Sequence, residues 1–335
     1  MTTVSKQKLE EAADLVYGVF KGTPQYNWPL LSKRCGVEVW VKHENHTPIG
    51  AFKVRGGLVF MNDYKKNGGT AGVITATRGN HGQSIALAAA RAGVKSTIVV
   101  PEGNSLEKNA AMKAFGGELV VHGHDFQASA EYAMARAQDE GLDMVPSFDS
   151  RLVQGVGTYG LEFFMNAPEL DRVYVPIGLG SGICGVVSAR DALGLKTKVY
   201  GVVMEGAPAY GLSFKAGKAV PTNTAETIAD GMACRVPVPE AVETICKSVE
   251  DVVTVSDEDV KHAMRVYYTH THNIAEGAGA APLAALLNDR EGLQGKRAGV
   301  VLSGGNIDMP LFMSVLSETD PGADPGADPS AVPAH

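Results

Sequence analysis

The chain has 335 residues, a length typical of about two domains, and 44% of them are hydrophobic and 20% charged. These values are close to those of soluble globular proteins, so they exclude a wholly disordered chain, a collagen and a disulfide scaffold. The formal net charge is −7; without the last 19 residues, which hold four acidic and no basic side chains, it is −3. Such a nearly neutral body has no electrostatic footprint for nucleic acid or for an anionic membrane.

In chain order, the first 20 residues predict an amphipathic helix, and short apolar, β-rich runs then alternate with helical patterns. The predicted strands are 37–42, 72–76, 96–101, 118–121, 172–177, 198–203 and 298–303. The predicted helices include 81–92, 106–115, 126–140, 182–193 and 257–269. Continuous apolar strands alternating with helices indicate an α/β protein with mostly parallel sheets covered on both faces. A chain of this length normally divides its core, so we expect two such three-layer α/β/α domains.

The last segment, residues 317–335, is acidic and rich in Pro, Gly and Ala, with prolines at 321, 325, 329 and 333. It has too few apolar side chains to offset the entropy lost on ordering. We therefore predict that it is disordered.

Four glycine-marked turns follow predicted strands and precede predicted helices. They are GAFKVRGG (50–57), TATRGNHGQ (75–83), VPIGLGSGICG (175–185) and LSGGNID (302–308). A strand, a glycine-rich turn and a helix start direct backbone N–H groups and the helix dipole at an anion. Since sites in α/β proteins lie at the carboxyl ends of strands, these turns are the candidate site.

The third turn has two interpretations. Gly180, Gly182 and Gly185 match G-x-G-x-x-G, and Glu205 follows the next strand, as the ribose-binding acid of a dinucleotide site would. This pattern favours an NAD(P)-dependent oxidoreductase. Against it, the turn lies in the middle of the chain, and Gly178 and Ser181 widen it into a polar cup that suits a terminal phosphate at least as well.

Taken together, the turns resemble the motifs of fold-type II pyridoxal-phosphate (PLP) enzymes, in the serine/threonine dehydratase (threonine ammonia-lyase) and serine racemase group. The lysine motif S-F-K-x-R-G appears as AFKVRG (51–56), and the S-x-G-N-H-x-Q loop as TRGNHGQ (77–83). The tetraglycine phosphate loop appears as GLGSG (178–182), and ETIADG (226–231) and LSGGN (302–306) also match. Five motifs in family order, from about residue 23 to 309, are far more specific than any one of them.

The resemblance implies the tryptophan synthase beta-like fold and pyridoxal 5′-phosphate as cofactor. It also implies a large cofactor-binding domain of residues 1–65 and 150–316, a small domain inserted at 66–149, and a homodimer. Lys53 would form the Schiff base with the cofactor and remove the Cα proton of the substrate, which requires a lowered pKa. The other cofactor-binding residues would be Phe52, Asn80, Gly178, Leu179, Gly180, Ser181, Gly182, Glu276 and Ser303.

Within this set, the backbone of residues 178–182 would hold the phosphate, and Asn80 the phenolic oxygen. Leu179 and Ser181 depart from the tetraglycine; Leu179 is tolerable if only its N–H is used, and the Ser181 hydroxyl adds a donor. Ser303 would face the pyridine nitrogen. A neutral hydroxyl there makes a weaker electron sink than an aspartate, which favours prompt β-elimination over transamination.

The substrate carboxylate would lie on the loop formed by Thr77, Arg78, Gly79, Asn80 and His81. Arg78 stands where the racemases have a serine that acts as the second acid/base. Because arginine stays protonated at ordinary pH, we expect no racemisation. Arg78 can instead pair bidentately with a carboxylate, either that of the α-carbon or one in the side chain.

The function implied is β-elimination from a β-hydroxy-α-amino acid, with L-threonine or L-serine as the small-molecule partner and a 2-oxo acid and ammonia as products. A bulkier substrate of the phenylserine or 3-hydroxyaspartate type is an alternative because of Arg78. The oxidoreductase and a catalytically silent PLP-binding protein are further alternatives.

No metal, nucleic-acid or membrane partner is expected. Some relatives have a divalent-cation site, but the carboxylates that form it are replaced here by Val203 and Ala209, which offer no oxygen ligand. No apolar run approaches the roughly 18 residues that span a bilayer, and the N-terminus lacks the features of a signal peptide. The four cysteines are scattered without C-x-x-C, which predicts reduced thiols in a cytoplasmic protein.

Overall fold

The structure, a computed structural model, describes residues 4–289 and 292–318. Its strands are β1 (Gln25–Asn27), β2 (Glu38–His43), β3 (Val73–Ala76), β4 (Ser96–Val100), β5 (Glu118–Val121), β6 (Asp143–Met144), β7 (Arg172–Pro176), β8 (Lys198–Met204), β9 (Asp251–Val255) and β10 (Arg297–Leu302). Its helices are α1 (Lys6–Tyr17), α2 (Pro29–Cys35), α3 (Lys53–Lys66), α4 (Asn80–Arg91), α5 (Leu106–Ala114), α6 (Phe126–Glu140), α7 (Ser150–Asn166), α8 (Ser181–Ala192), α9 (Ala209–Ala216), α10 (Pro239–Ser248), α11 (Asp257–Thr271), α12 (Gly277–Asn288) and α13 (Met309–Ser317).

The strands form two separate sheets. One has six strands in the order β1-β2-β10-β7-β8-β9, and the other has four in the order β5-β4-β3-β6. Every pairing is parallel except that of β1 with β2. The predicted α/β fold with two mostly parallel sheets is therefore confirmed.

All the predicted strands and the five internal predicted helices are present, with ends shifted by at most two residues. Three strands were not predicted: β1, β6 and β9. The first two have only three and two residues, too few for a period-2 pattern to be recognised. The C-terminal ends of the parallel strands bring the four glycine-marked turns to one region.

Helix α7 packs closely against α3 and α8 through glycines. A Cβ on Gly155 would collide with the carbonyl oxygen of Arg55, and one on Gly157 would meet the side chain of Leu9. Gly185 of α8 lies against the backbone of Gly157. These contacts hold the first turn of α3, which carries Lys53, in a fixed position above the six-stranded sheet.

The four-stranded sheet is built entirely from strands between residues 73 and 144, whereas α3 ends at Lys66 and α7 begins at Ser150. This separation supports the predicted inserted domain at 66–149, whose boundaries stay a prediction. At the other end, α13 includes Ser317, and Glu318 pairs with Arg265 at 3.2 Å. The rest of the predicted disordered tail, residues 319–335, lies outside the described residues.

Candidate active site

A cavity of about 430 Å³ lies between the two sheets, and all four glycine-marked turns line it. The fourteen residues predicted from the sequence all lie on its wall: Phe52, Lys53, Thr77, Arg78, Gly79, Asn80, His81, Gly178, Leu179, Gly180, Ser181, Gly182, Glu276 and Ser303. They come from segments up to about 250 residues apart. The structure thus brings the predicted site together, while the roles of its members remain predictions.

Lys53 is the first residue of α3 and faces this cavity. Its Nζ donates to Ser181 Oγ at 3.1 Å and lies 5.1 Å from the centre of the Phe52 ring. No carboxylate of the described residues forms an ion pair with it. The surrounding protein disfavours the charged ammonium, so burial alone lowers the pKa of Lys53 to about 8. A larger fraction of this amine than of an ordinary lysine is therefore neutral and nucleophilic near neutral pH.

The turn after β7 forms a cup at the N-terminus of α8. Gly180 has a φ of 98°, a left-handed conformation that favours glycine, and it directly precedes Ser181, the first residue of the helix. A Cβ on Gly178 would collide with the carbonyl oxygen of Gly231, so the cup has no space for a side chain there. Leu179 turns its side chain to the neighbouring core and accepts from Tyr210 through its carbonyl oxygen. The cup fits a phosphate group held by backbone N–H groups and the helix dipole.

Asn80, the first residue of α4, has a fixed orientation. Its Nδ2 donates to Glu276 Oε1 at 2.6 Å, and its Oδ1 accepts from Asn306 Nδ2 at 2.8 Å. Asn306 also donates to the carbonyl oxygen of Ile49. An ionised Glu276 can only accept hydrogen bonds, so the group of Asn80 that points toward it must be the NH₂ donor. This fixes the NH₂ end of Asn80 at the cavity wall.

Glu276 is buried immediately before α12 and keeps one oxygen, Oε2, without a hydrogen bond from any described residue. Burial raises the pKa of Glu276 to about 7, although the positive charge of Lys108 opposes this shift. Glu276 is therefore partly protonated near neutral pH. Its charge therefore changes within the physiological pH range, as is common for groups at functional sites.

The loop at residues 77–81 is shaped by its own threonine. Thr77 Oγ1 accepts from the N–H groups of Gly79 (3.0 Å) and Gly82 (3.3 Å). The N–H groups of Asn80 and His81 belong to the first turn of α4, where an α-helix leaves its donors unsatisfied. Within the part of the chain that the structure describes, neither has an acceptor, so the loop can receive an anion.

His81 and Arg78 have contrasting environments. Burial, assisted by the charge of Lys53, lowers the pKa of His81 to about 3, so this imidazole is neutral at working pH. Arg78 is exposed at the mouth of the cavity and makes no hydrogen bond or ion pair with the described residues. Arg78 is thus the freely available cation of the loop.

Ser303 and Phe52 connect the first and last turns. The Phe52 N–H donates to the Ser303 carbonyl oxygen at 3.0 Å, and Ala51 bridges to Gly304. The Ser303 hydroxyl lies buried in the cavity wall at the end of β10. The Phe52 ring packs edge-on against Tyr159 at 5.9 Å. Phe52 is therefore both a core residue and a wall of the cavity.

Five charged residues that line the cavity were not predicted from the sequence: Lys108, Asp125, Glu226, Asp230 and Arg235. Lys108 of α5 reaches across the cavity, and its Nζ lies 2.5 Å from Asp230 Oδ2 and 3.6 Å from Glu276 Oε2. Asp230 belongs to the ETIADG segment, so the motif contained a signal for it. Lys108 had none, because its contacts depend on how the two sheets are placed.

A second cluster of charges lies beneath the first turn of α3. The Arg55 guanidinium donates to both oxygens of Glu44 and both oxygens of Glu162, at 2.6–3.0 Å. Lys42 donates to Glu162 Oε2 at 2.6 Å. We call Lys42, Glu44, Arg55 and Glu162 the buried tetrad; its side chains are 0–4% exposed.

A lysine with a lowered pKa and a phosphate-sized cup, facing each other between two parallel sheets, define an enzyme that uses a phosphate-bearing aldehyde cofactor. The chain belongs to the family of pyridoxal-phosphate dependent enzymes, whose sequence model matches residues 16–304. Its cofactor is therefore PLP, as predicted. For the third turn, the match favours the interpretation as a cup for a terminal phosphate over that as a dinucleotide site.

Curated relatives and solved structures agree with this assignment. The chain is 36% identical over 303 residues to an L-threonine ammonia-lyase of Geobacter sulfurreducens, covering 90% of this chain and 75% of that protein. It is 32% identical over 318 residues to a catabolic L-threonine dehydratase of Staphylococcus aureus, covering 93% and 92%. Processed threonine deaminase isoform 2 of Solanum lycopersicum superposes with a TM-score of 0.86 at 28% identity over 94% of both chains. Maize serine racemase does so with a TM-score of 0.87 at 26% identity over 93% and 97%.

The described residues contain neither a cluster of metal-ligating side chains nor a membrane-spanning helix. No three His, Cys, Asp or Glu side chains come together there in a way that could hold a metal ion. None of the helices described is both long and apolar enough to cross a bilayer.

Proposed function

We propose that this enzyme is an ammonia-lyase that eliminates water from L-threonine or L-serine and releases a 2-oxo acid and ammonia. The observation that carries the proposal is the placement of Lys53 Nζ, with its lowered pKa, 3.1 Å from Ser181 in the phosphate cup. The named activities of the curated relatives support the same reaction. The lyase class and PLP dependence follow from the family.

When bound, PLP supplies an electron sink for the charge that develops at the substrate Cα. Lys53 would hold the cofactor in its resting form, and its neutral amine would accept the Cα proton of the bound substrate. Its lowered pKa matches this task, because a general base acts best when its pKa is near the working pH. The neutral Ser303 hydroxyl would not hold a proton on the pyridine nitrogen of the bound cofactor, which would favour prompt loss of the β-hydroxyl group as water.

The remaining residues bind and orient. The backbone of residues 178–182 holds the phosphate, and Asn80, fixed by Glu276 and Asn306, donates at the ring. Loop 77–81 holds the substrate carboxylate with its free N–H groups. His81 is neutral and has no role as a cationic acid, so the proton transfers at Cα fall to Lys53.

The test is a Lys53→Ala variant, with Lys198→Ala as a matched control at an exposed site far from the cavity. The Lys53 variant should lose the near-violet absorbance of the lysine-bound cofactor and all 2-oxo acid release from L-threonine and L-serine. The control should keep both. Turnover by the Lys53 variant, or no ammonia from any β-hydroxy amino acid with the wild-type protein, would refute the proposal.

A second candidate substrate is 3-hydroxyaspartate, favoured by Arg78. This guanidinium lines the cavity mouth with no partner among the described residues, so it can bind a side-chain carboxylate bidentately. Including 3-hydroxyaspartate and phenylserine in the assay panel decides between these substrates. A kcat/KM for 3-hydroxyaspartate at least tenfold above that for L-threonine would favour the second candidate.

A homodimer and a cytoplasmic location are also proposals. The homodimer rests on the family resemblance, and light scattering of the purified holoenzyme tests it. All four cysteines are free, which supports a reducing compartment. Localisation of a tagged full chain in its native cell would test that.

A further inference from the structure

Lys108 occupies an unfavourable position for a lysine. It lies in the first turn of α5, where the helix dipole disfavours a cation, and its side chain is only 7% exposed. Lysines are almost never fully buried unless they are paired. Burial acts to lower the pKa of Lys108, but the charges of Glu276 and Asp230 outweigh it and raise the pKa, so the ammonium stays charged.

The ammonium of Lys108 is also incompletely hydrogen-bonded. Its Nζ donates to Asp230 at 2.5 Å, while Glu276 Oε2, at 3.6 Å, is too distant for a hydrogen bond. Since an ammonium has three N–H donors, two have no acceptor within the described structure. Lys42 is equally buried, yet its Nζ donates to three acceptors at 2.6–3.1 Å. Incomplete pairing is therefore a property of the Lys108 site and not of burial alone.

Lys108 lies directly against the loop at residues 77–81. A Cβ built on Gly79 would be 2.7 Å from Lys108 Cδ and 3.4 Å from its Nζ. Glycine at position 79 thus makes the space in which the lysine lies. The ammonium thus lies beside Gly79, the residue directly before Asn80 and His81, whose N–H groups can receive an anion.

The charges around this loop require a cation at that point. Asp230 and Glu276 both line the cavity, and without Lys108 their charges would repel an incoming carboxylate. The backbone N–H groups are neutral donors, and Arg78 is exposed to screening by solvent. A cation between the two carboxylates and the loop offsets their repulsion of an anion at the loop.

From this geometry we propose that Lys108 is a specificity-determining residue, whose ammonium donates one of its two free N–H groups to the α-carboxylate of the amino-acid substrate. This inference rests on the proposed function, because it takes loop 77–81 as the carboxylate site. Lys108 thereby selects an amino acid over an amine or an amide of the same size.

A purely structural role for the same turn makes a different prediction. Ser105 Oγ donates to Asp308 at 2.5 Å, and Glu107 Oε1 accepts from the N–H of Met309 at 2.8 Å. The first turn of α5 thus joins the small and large sheets through several contacts. If Lys108 only helps to join them, its loss should weaken all ligands alike, as should the control variants Ser105→Ala and Glu107→Ala.

The experiment measures dissociation constants of L-alanine and L-alaninamide for the holoenzyme by calorimetry. Alanine has no β-hydroxyl group, so binding is measured without elimination. A hydrogen bond to a charged group contributes about 1.5–3 kcal/mol, which corresponds to roughly 10- to 100-fold in affinity. In Lys108→Met, alanine should bind weaker by this factor and alaninamide should be nearly unaffected. Ser105→Ala and Glu107→Ala should leave the ratio of the two constants unchanged.

The Lys108→Met change leaves Asp230 and Glu276 uncompensated, so a Lys108→Met/Glu276→Gln double variant is measured beside it. Loss of the carboxylate preference in either cofactor-loaded variant supports the proposal. An unchanged ratio of constants overturns it, as does failure of both variants to bind PLP, which would give Lys108 a purely structural role. Neither result bears on ammonia release from threonine, so failure here and failure of the proposed function are distinguishable.

Discussion

Two clusters of charge flank the first turn of α3, and they are built differently. In the buried tetrad, two cations meet two carboxylates, and Thr23, Gln25 and Thr158 complete the hydrogen bonds of Arg55 and Lys42. In the cavity, Lys53 has no carboxylate partner, Lys108 has unused donors and Glu276 has an oxygen without a hydrogen bond. The incompletely paired groups line the cavity in which the reaction is proposed to take place. The fully paired tetrad lies beneath the first turn of α3 and stabilises the helix that carries Lys53.

The difference between the two clusters shows which charged groups can still bind a ligand. The charges of the tetrad balance one another, and the pKa of Lys53 is lowered by burial rather than by the tetrad. The cavity groups keep bonding capacity that a cofactor or substrate can complete. Within the cavity, Lys53, His81 and Glu276 have pKa values that burial shifts from their ordinary range.

The largest expected effect comes from breaking the complete cluster. Arg55→Met leaves Glu44 and Glu162 buried with only Lys42 as a cation, which should lower the free energy of unfolding by about 3–5 kcal/mol. Guanidinium denaturation of the holoenzyme measures it. Arg136→Met, which breaks a surface pair with Glu140, should cost about 0.2–1 kcal/mol. Equal losses in the two variants would show that the tetrad contributes no more than a surface pair.

A matched pair of carboxyl-to-amide changes should give opposite signs above pH 7. Glu162→Gln leaves buried cations in excess and should destabilise by about 1–3 kcal/mol, because Arg55 and Lys42 keep the pKa of Glu162 below its ordinary value despite burial. Glu276→Gln removes a carboxyl group whose ionisation is disfavoured by burial. This change should therefore stabilise the protein above pH 7.

The pH dependence of this pair follows from linkage. The pKa of Glu276 is raised to about 7 in the folded state, so the folded wild type binds more protons than the unfolded chain between roughly pH 4.5 and 7, and its stability falls across that range. Glu276→Gln lacks this loss. Its unfolding free energy relative to wild type should therefore increase between pH 5 and 8, and a constant difference would contradict the raised pKa.

The smallest effect concerns ligand affinity. Lys108 from α5 and Asp230 are the charged groups that face Glu276. As Glu276 ionises near pH 7, it competes for Lys108 and repels a carboxylate, so L-alanine should bind a few-fold weaker at pH 8 than at pH 6, relative to Glu276→Gln. Referring both constants to that variant cancels the ionisation of the amine of alanine itself. If the ratio of the L-alanine dissociation constants of wild type and Glu276→Gln does not change with pH, Glu276 does not influence carboxylate binding.

The sequence predicted most of the cavity because its parts are local. Each strand, glycine turn and helix start is encoded within about ten residues. That Lys53 and the phosphate cup belong to one site was predicted from the resemblance to the PLP enzyme family. Lys108 could not be predicted, because its segment, LEKNAAMKA, is an ordinary helical sequence. The partners of Lys108, Asp230 and Glu276, are 122 and 168 residues further along the chain.

The fold was predictable wherever the hydrophobic pattern was strong. Helix α7 was not predicted, because residues 155, 157 and 160 are glycines, which lower helix propensity. Tertiary packing against α3 and α8 compensates for that cost, and such packing has no local signal. Glu162, the centre of the tetrad, lies on this same helix.

The pairing of β2 with β10 has a consequence for synthesis. These strands lie side by side in the sheet, and the backbone of Phe52 is bonded to that of Ser303. At about 5–20 residues per second, the ribosome needs roughly 12–50 s after making Lys53 before Ser303 exists. During that interval the nascent chain exposes the edge of β2, and the cofactor lysine has no completed cavity around it. PLP capture is therefore expected only after residue 303 has been made and β10 has paired with β2.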